Sequence, residues 1–92
     1  MNIIWNKNLY IHSNVMAELS HIIDDLFDKS NANIYCIIKA LEGTNLYEIL
    51  SVVELSNGLY EDKEIEIIGI ARGKNNIKDV LIDVVQNTFC LA

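Results

Sequence analysis

Hydrophobic and polar residues alternate from Asn2 to His12, with Ile3, Trp5, Leu9 and Ile11 on one side and Asn6, Asn8, Tyr10 and His12 on the other. A period of two marks a half-buried strand. The Asn6-Lys7-Asn8 triplet offers an alternative, the tip of a short hairpin, because Asn accepts turn dihedrals. The period then lengthens to that of a helix. Over 14–29 the stripe is Val15, Leu19, Ile22, Ile23 and Leu26, widened by Met16 and Phe27, behind a cap at Ser13 or Asn14. Glu18, His21, Asp25 and Asp28 fall on the opposite side. After a polar connection, Ile34 to Leu41 is almost wholly apolar. It predicts a strand covered on both faces, the mark of a central parallel strand.

The stretch from Asn45 to Ser56 fits two periods. As a strand it forms a hairpin with 34–41 through Glu42-Gly43-Thr44-Asn45. As a helix it places Leu46, Ile49, Leu50 and Val53 in an i, i+3, i+4, i+7 stripe, with Glu48, Ser51 and Glu54 outside. Asn45 followed by Glu48 resembles a capping box, and Asn57-Gly58 is a good helix stop. The helix is the preferred reading. Glu64 to Ala71 then alternates briefly and turns fully apolar, predicting a third strand. Behind Asn75 or Asn76 as cap, Ile77, Val80, Leu81, Val84 and Thr88 line the inner side of a last helix over 76–89.

This order describes an α/β fold: one domain over residues 1–92, with three βα units on a three-stranded, mainly parallel sheet. With 34–41 in the middle, the first two helices share one face and leave the other partly bare. The alternative is a ferredoxin-like α+β arrangement in which 45–56 is a strand.

Composition adjusts this picture in three ways. The chain has 92 residues, of which 51% are hydrophobic, against about 45–50% in ordinary domains. A body this small has little interior, so apolar surface is left over for a partner, and a homodimer or higher homo-oligomer is expected. A net charge of −6 argues against direct nucleic-acid binding. Acid gathers at Asp24, Asp25 and Asp28 and again at Glu61, Asp62, Glu64 and Glu66, whereas Arg72, Lys74 and Lys78 fall within one short segment. Cys36 and Cys90, with no leader and no apolar run of membrane length, fit buried thiols in a cytoplasmic protein away from membranes.

The run NLYEILSVVEL, a tyrosine-containing loop, IEIIGIARGK and the helix beyond them resemble a group of small uncharacterised proteins of Gram-positive bacteria. That group is often found in mobile elements and shows the pattern NLLEI, a short loop, IIGIA(R/K)G and a helix. The resemblance covers residues 45 to about 85, with a looser match at Leu9-Tyr10-Ile11. The family has no assigned reaction, so the resemblance implies no catalytic residue or cofactor. It implies a helical 45–56 and a recurring strand end from Gly69 to Gly73.

The best candidate for chemistry is the start of the last helix. Arg72, Gly73, Lys74 and the amides of Asn75 and Asn76 could hold an anion there, with His12, Glu42 and Thr44 at the edge of the same site if three strand ends converge. The spacing is not that of a P-loop: three residues separate Gly69 from Gly73, and Asn75 follows the lysine. Gly69 and Gly73 also have plain structural uses, close helix approach and a left-handed turn. His21 and Asp25 form a surface pair at helical spacing, too few ligands for a metal. No cofactor and no catalytic set is read. The chain is expected to be a non-enzymatic interaction module that self-associates, with a further protein partner as an option. Alternatives are weak anion or phosphoryl-ligand binding at 72–76, and an acidic inhibitor that mimics nucleic acid.

Overall fold

The computed structural model describes residues 1–40 and 46–89, excepting the side chains of residues 88 and 89. The described residues form a four-stranded mixed sheet with three helices. The strands are β1 (Asn2–Ile11), β2 (Ile34–Lys39), β3 (Tyr47–Ser51) and β4 (Glu64–Arg72). The helices are α1 (Leu19–Asp24), α2 (Val52–Leu55) and α3 (Lys74–Phe89), joined by 3₁₀ turns at Ser13–Glu18 and Lys29–Asn31. Among the described residues, no helix is long and apolar enough to cross a membrane.

The sheet order is β1-β4-β2-β3, with β4 parallel to β1 and antiparallel to β2, and β3 antiparallel to β2. This corrects the three-stranded, mainly parallel sheet: only one strand pair is parallel. The strand at 34–41 is interior as predicted, yet it does not separate the other two long strands. β4 sits between β1 and β2, because it too is apolar on both faces.

Of the helix predicted over 45–56, only Val52–Leu55 is helical among the described residues. Tyr47–Ser51 pairs with β2 from Lys39↔Tyr47 to Tyr35↔Ser51, and Ala40 N–H donates to Leu46 O across the turn (3.0 Å). The stripe is dispersed: Ile49 joins the core on one face of the sheet and Leu50 the core on the other. A capping box is present, but it is Ser51 with Glu54, and it starts the four-residue α2. The hairpin of the α+β alternative is therefore present. The chain nevertheless continues from β4 into α3 rather than ending on a strand, unlike the ferredoxin-like pattern.

The first helix is also shorter than the predicted 14–29. His12, not Ser13 or Asn14, caps the opening 3₁₀ turn, its Nδ1 accepting from Asn14 N–H (3.1 Å). α1 stops at Asp24, where an aspartate run meets a helix C-terminus that disfavours negative charge. Asp28 then turns the chain by accepting from Ser30 N–H.

Two cores result. The front face, under α1, α2 and the 3₁₀ turn, buries Val15, Ile22, Leu26, Ile34, Cys36, Ile38, Leu55, Ile65, Ile67 and Ile70. The back face buries Ile37, Ile68, Ala71, Ile77, Val80 and Val84 under α3, so the face predicted to be partly bare carries a helix. Register irregularities set the fit. Opposite Ile37 and Ile38, β4 takes two steps (Ile67 to Gly69) for one on β2. A Cβ added to Gly69 would lie 2.9 Å from Val80 Cγ1 and 3.2 Å from Ile37 Cδ1, so glycine is what admits α3 here. In β1, five steps from Trp5 to Tyr10 face two on β4, which bulges the Asn6-Lys7-Asn8 triplet out of the ladder.

Candidate functional site

The predicted anion site lies where β1 and β4, parallel neighbours, send the chain to opposite faces. Such a division opens a crevice at the strand ends. Here the chain fills its own crevice. Asn14 donates through Nδ2 to Arg72 O (2.9 Å) and accepts through Oδ1 from Arg72 N–H (3.1 Å), extending the sheet with a side chain. His12 N–H donates to Ile70 O (3.1 Å) just before it.

Arg72 is the hub of this junction. Its guanidinium reaches Glu18 Oε2 at 2.6 Å, and its carbonyl also accepts from Asn76 Nδ2 (2.9 Å). Gly73 takes the left-handed turn (φ +90°) that glycine alone adopts without strain, and its N–H donates to Asn33 O (2.9 Å). α3 starts at Lys74, ahead of the predicted Asn75 or Asn76 cap. Of the five predicted ligands, Arg72, Gly73 and Asn76 have partners within the fold, and Lys74 and Asn75 remain exposed. The arrangement clamps β1, β2 and α3 together at one end of the sheet.

His12 is at this end, one residue past the Ile11↔Ile70 pair, with its N–H on Ile70 O. Glu42 and Thr44 lie outside the described residues. β2 runs against β4, so Ile34 is the residue that faces Arg72, and the carboxyl end at Lys39 lies past the Ile38↔Ile67 pair, at the far end of β2. Three strand ends therefore do not converge, for the reason that the sheet is mixed.

Among the hollows formed by the described residues, three lie beside the groups discussed above. One, of about 280 Å³, lies between Tyr10, His12 and Ser13 of the β1 end and Asp79 and Asp83 of α3. A second, of about 270 Å³, lies on the back face beyond α3, lined by Asn6, Tyr10, Lys39, Tyr47 and Glu66, where Asn6 Nδ2 donates to Glu66 Oε2 (2.7 Å). It groups one ammonium, one carboxylate, two phenols and the amides of Asn6 and Asn8 beside Ile68 and Val84, a set that suits hydrogen bonding. Sequence reasoning missed this group, because only the bulge and the hairpin bring Asn6 and Tyr47 to the same face. The third, of about 200 Å³, is bordered by Met1, Phe27, Ser56, Gly58 and Glu61. The N-terminal ammonium donates to Glu61 O beside it.

Reactive groups are otherwise muted. Cys36, the free cysteine among the described residues, is sealed in the front core, and burial pushes its thiol up to about 12. Cys90 lies outside the described residues. His21 pairs with Asp28 (3.4 Å) and Ser30 (3.1 Å) rather than with the Asp25 carboxylate, since α1 ends before a further helical turn can form. Among the described residues no group of three His, Cys, Asp or Glu side chains could hold a metal ion.

In comparisons with known proteins, no family model matches the chain, and no curated protein or solved structure matches it either.

Proposed function

We propose that this chain is a non-enzymatic interaction module that acts by self-association. The observation that carries the reading is the apolar surface that two cores fail to absorb. Leu46 and Val53 are 56% exposed and Leu59 75%, and Met16, Ile23 and Phe27 are exposed over the front cover. Single exposed apolar residues are ordinary. Here, however, five of the ten exposed large apolar residues among those described, Met16, Ile23, Phe27, Val53 and Leu59, belong to the 3₁₀ turn, α1, α2 and the segments that follow the two helices. The ion pair at Arg72 and the hydrogen bonds around it hold the fold at one end and leave these surfaces for contact. Sedimentation velocity over a roughly hundredfold concentration range tests the reading, because mass action makes association concentration-dependent. A rising sedimentation coefficient is expected. A constant monomer value across the range would overturn the proposal.

A further inference from the structure

We infer that two copies of this chain join edge to edge through β3, with Ile49 on the twofold axis, to make one continuous sheet. The inference rests on the self-association reading and gives it a backbone contact at the sheet edge, apart from the apolar front cover.

The two edges of the sheet differ. β1 is long, but its Asn6-Lys7-Asn8 bulge throws an exposed lysine and two amides across the ladder. Asn8 N–H is turned inward to Asn6 Oδ1 (2.8 Å). Bulges and edge lysines are the usual guards against strand addition. β3 carries neither: its run Tyr47–Ser51 is regular and has no lysine, proline or bulge.

The orientation of its backbone follows from the hairpin. Ala40 N–H bonds Leu46 O, so in the antiparallel alternation Leu46, Glu48 and Leu50 exchange bonds with β2. Tyr47, Ile49 and Ser51 therefore turn their N–H and C=O groups outward. Ser51 confirms the phase, since its N–H leaves the ladder to meet Glu54 Oε1 (3.0 Å). The outward strand is thus closed at Ser51 by the capping box and presents the N–H and C=O of Ile49 at its centre.

Outward groups meet outward groups in antiparallel registers centred on a residue; a centre at Leu50 would set Ile49 against the closed Ser51, which leaves Glu48 and Ile49. Centring the axis on Glu48 would bring two carboxylates together in a closely spaced pair, with Cα atoms about 4.5 Å apart. Centring it on Ile49 avoids this. Ile49 then faces Ile49 of the second copy and exchanges two hydrogen bonds with it. On the back face Tyr47 faces Ser51, and on the front face Glu48 faces Leu50. The apolar side chains of β3 that already pack on the back core continue across the axis. Twice the four strands gives an eight-stranded sheet, within the ordinary size for open sheets. Two central hydrogen bonds with modest side-chain cover make a reversible dimer.

Charge exchange at the axis is the test. Ile49→Lys and Ile49→Glu each place like charges face to face, so each variant is expected to sediment as a monomer at concentrations where the native chain is dimeric. An equimolar mixture of the two should regain the dimer, a result only a residue-49 self-contact gives. Circular dichroism checks that both variants fold. Independently of them, hydrogen exchange at the Ile49 amide of the native chain should slow as concentration rises. Native dimers that persist in both variants, or Ile49 exchange that ignores concentration while the chain associates, would overturn this interface and leave self-association standing. A native chain that is monomeric throughout would overturn both.

Discussion

Residues 46–53 and 77–84 carry the same apolar spacing and reach opposite outcomes. In α3 the stripe stays together: Ile77, Val80 and Val84 are all buried against Ile37, Ile68 and Ala71. In the earlier segment it is split between the two faces, and its first and last members, Leu46 and Val53, are left outside. The difference lies in what each segment meets. α3 follows a left-handed glycine beside an uncovered sheet face, where a helix buries its whole stripe. The 46–53 segment returns beside the free edge of β2, where alternate strand residues complete the ladder bonds that β2 would otherwise lack. A helical period thus decides structure only where no open strand edge competes with it.

Truncating one member of each stripe separates the two cases most strongly. Ile77→Ala empties a fully buried site and is expected to cost about 2–5 kcal/mol of unfolding free energy. Val53→Ala removes a side chain 56% exposed and should stay within about 0.5 kcal/mol. Urea denaturation of both variants reads the contrast. Equal losses would mean that Val53 is covered in solution.

The next effect comes from how closely α3 lies on the sheet. Gly69→Ala sets a methyl 2.9 Å from Val80 Cγ1, and overpacking of this kind costs about 1–3 kcal/mol. Val80→Ala in the same chain should recover part of that loss, so the double variant is more stable than the sum of the singles predicts. Strict additivity in the denaturation midpoints would refute the close approach.

Ser51→Ala tests the other segment. It removes the acceptor for Glu54 N–H (3.0 Å) and unseats the Glu54 carboxylate from Ser51 N–H, at an expected cost of about 0.5–2 kcal/mol. Faster amide exchange should be confined to Val52–Leu55 and the end of β3. Should exchange there be unaltered, the capping box would have no role in ending the strand.

Much of the fold was legible because long regular patterns leave one answer. The alternation of β1, the apolar run of β4 and the stripe of α3 each met their predicted place within a few residues. Gly69 and Gly73 also serve the structural uses read from them. What was not legible depends on neighbours. The choice between periods at 45–56 rests on β2's edge, and the strand order on β4 and β2 both being apolar on two faces. The true capping box, Ser51-Val52-Val53-Glu54, was visible but outweighed by the Asn45–Glu48 pattern upstream. For the candidate site, Arg72 and Gly73 were rightly placed at a junction. That Asn14 and Glu18 would occupy them depends on β1 lying beside β4, which no local pattern states.

The smallest effect belongs to the turn that ends the front cover, where α1 stops and α3, by contrast, runs on for 16 residues. Asp28 is held below its ordinary 3.8 first by the Ser30 hydroxyl, then by Ser30 N–H, with a lesser pull from His21. A carboxylate whose folded value is depressed adds stability that is present above the unfolded value of 3.8 and fades as the pH falls through the lower folded value. The window therefore opens below pH 3.8, and neutral solutions should show nothing of it. The Asp28 side chain is open to solvent, 40% exposed, so the effect is read as a titration rather than as a change in midpoint. Carboxyl chemical shifts followed by NMR should place Asp28 below 3.8, and Ser30→Ala should bring it back toward that value by removing its largest cause. His21→Ala should move it less. An Asp28 that titrates at its ordinary value in the native chain would mean that Ser30 does not hold the turn, and the early stop of α1 would then rest on the aspartate run alone.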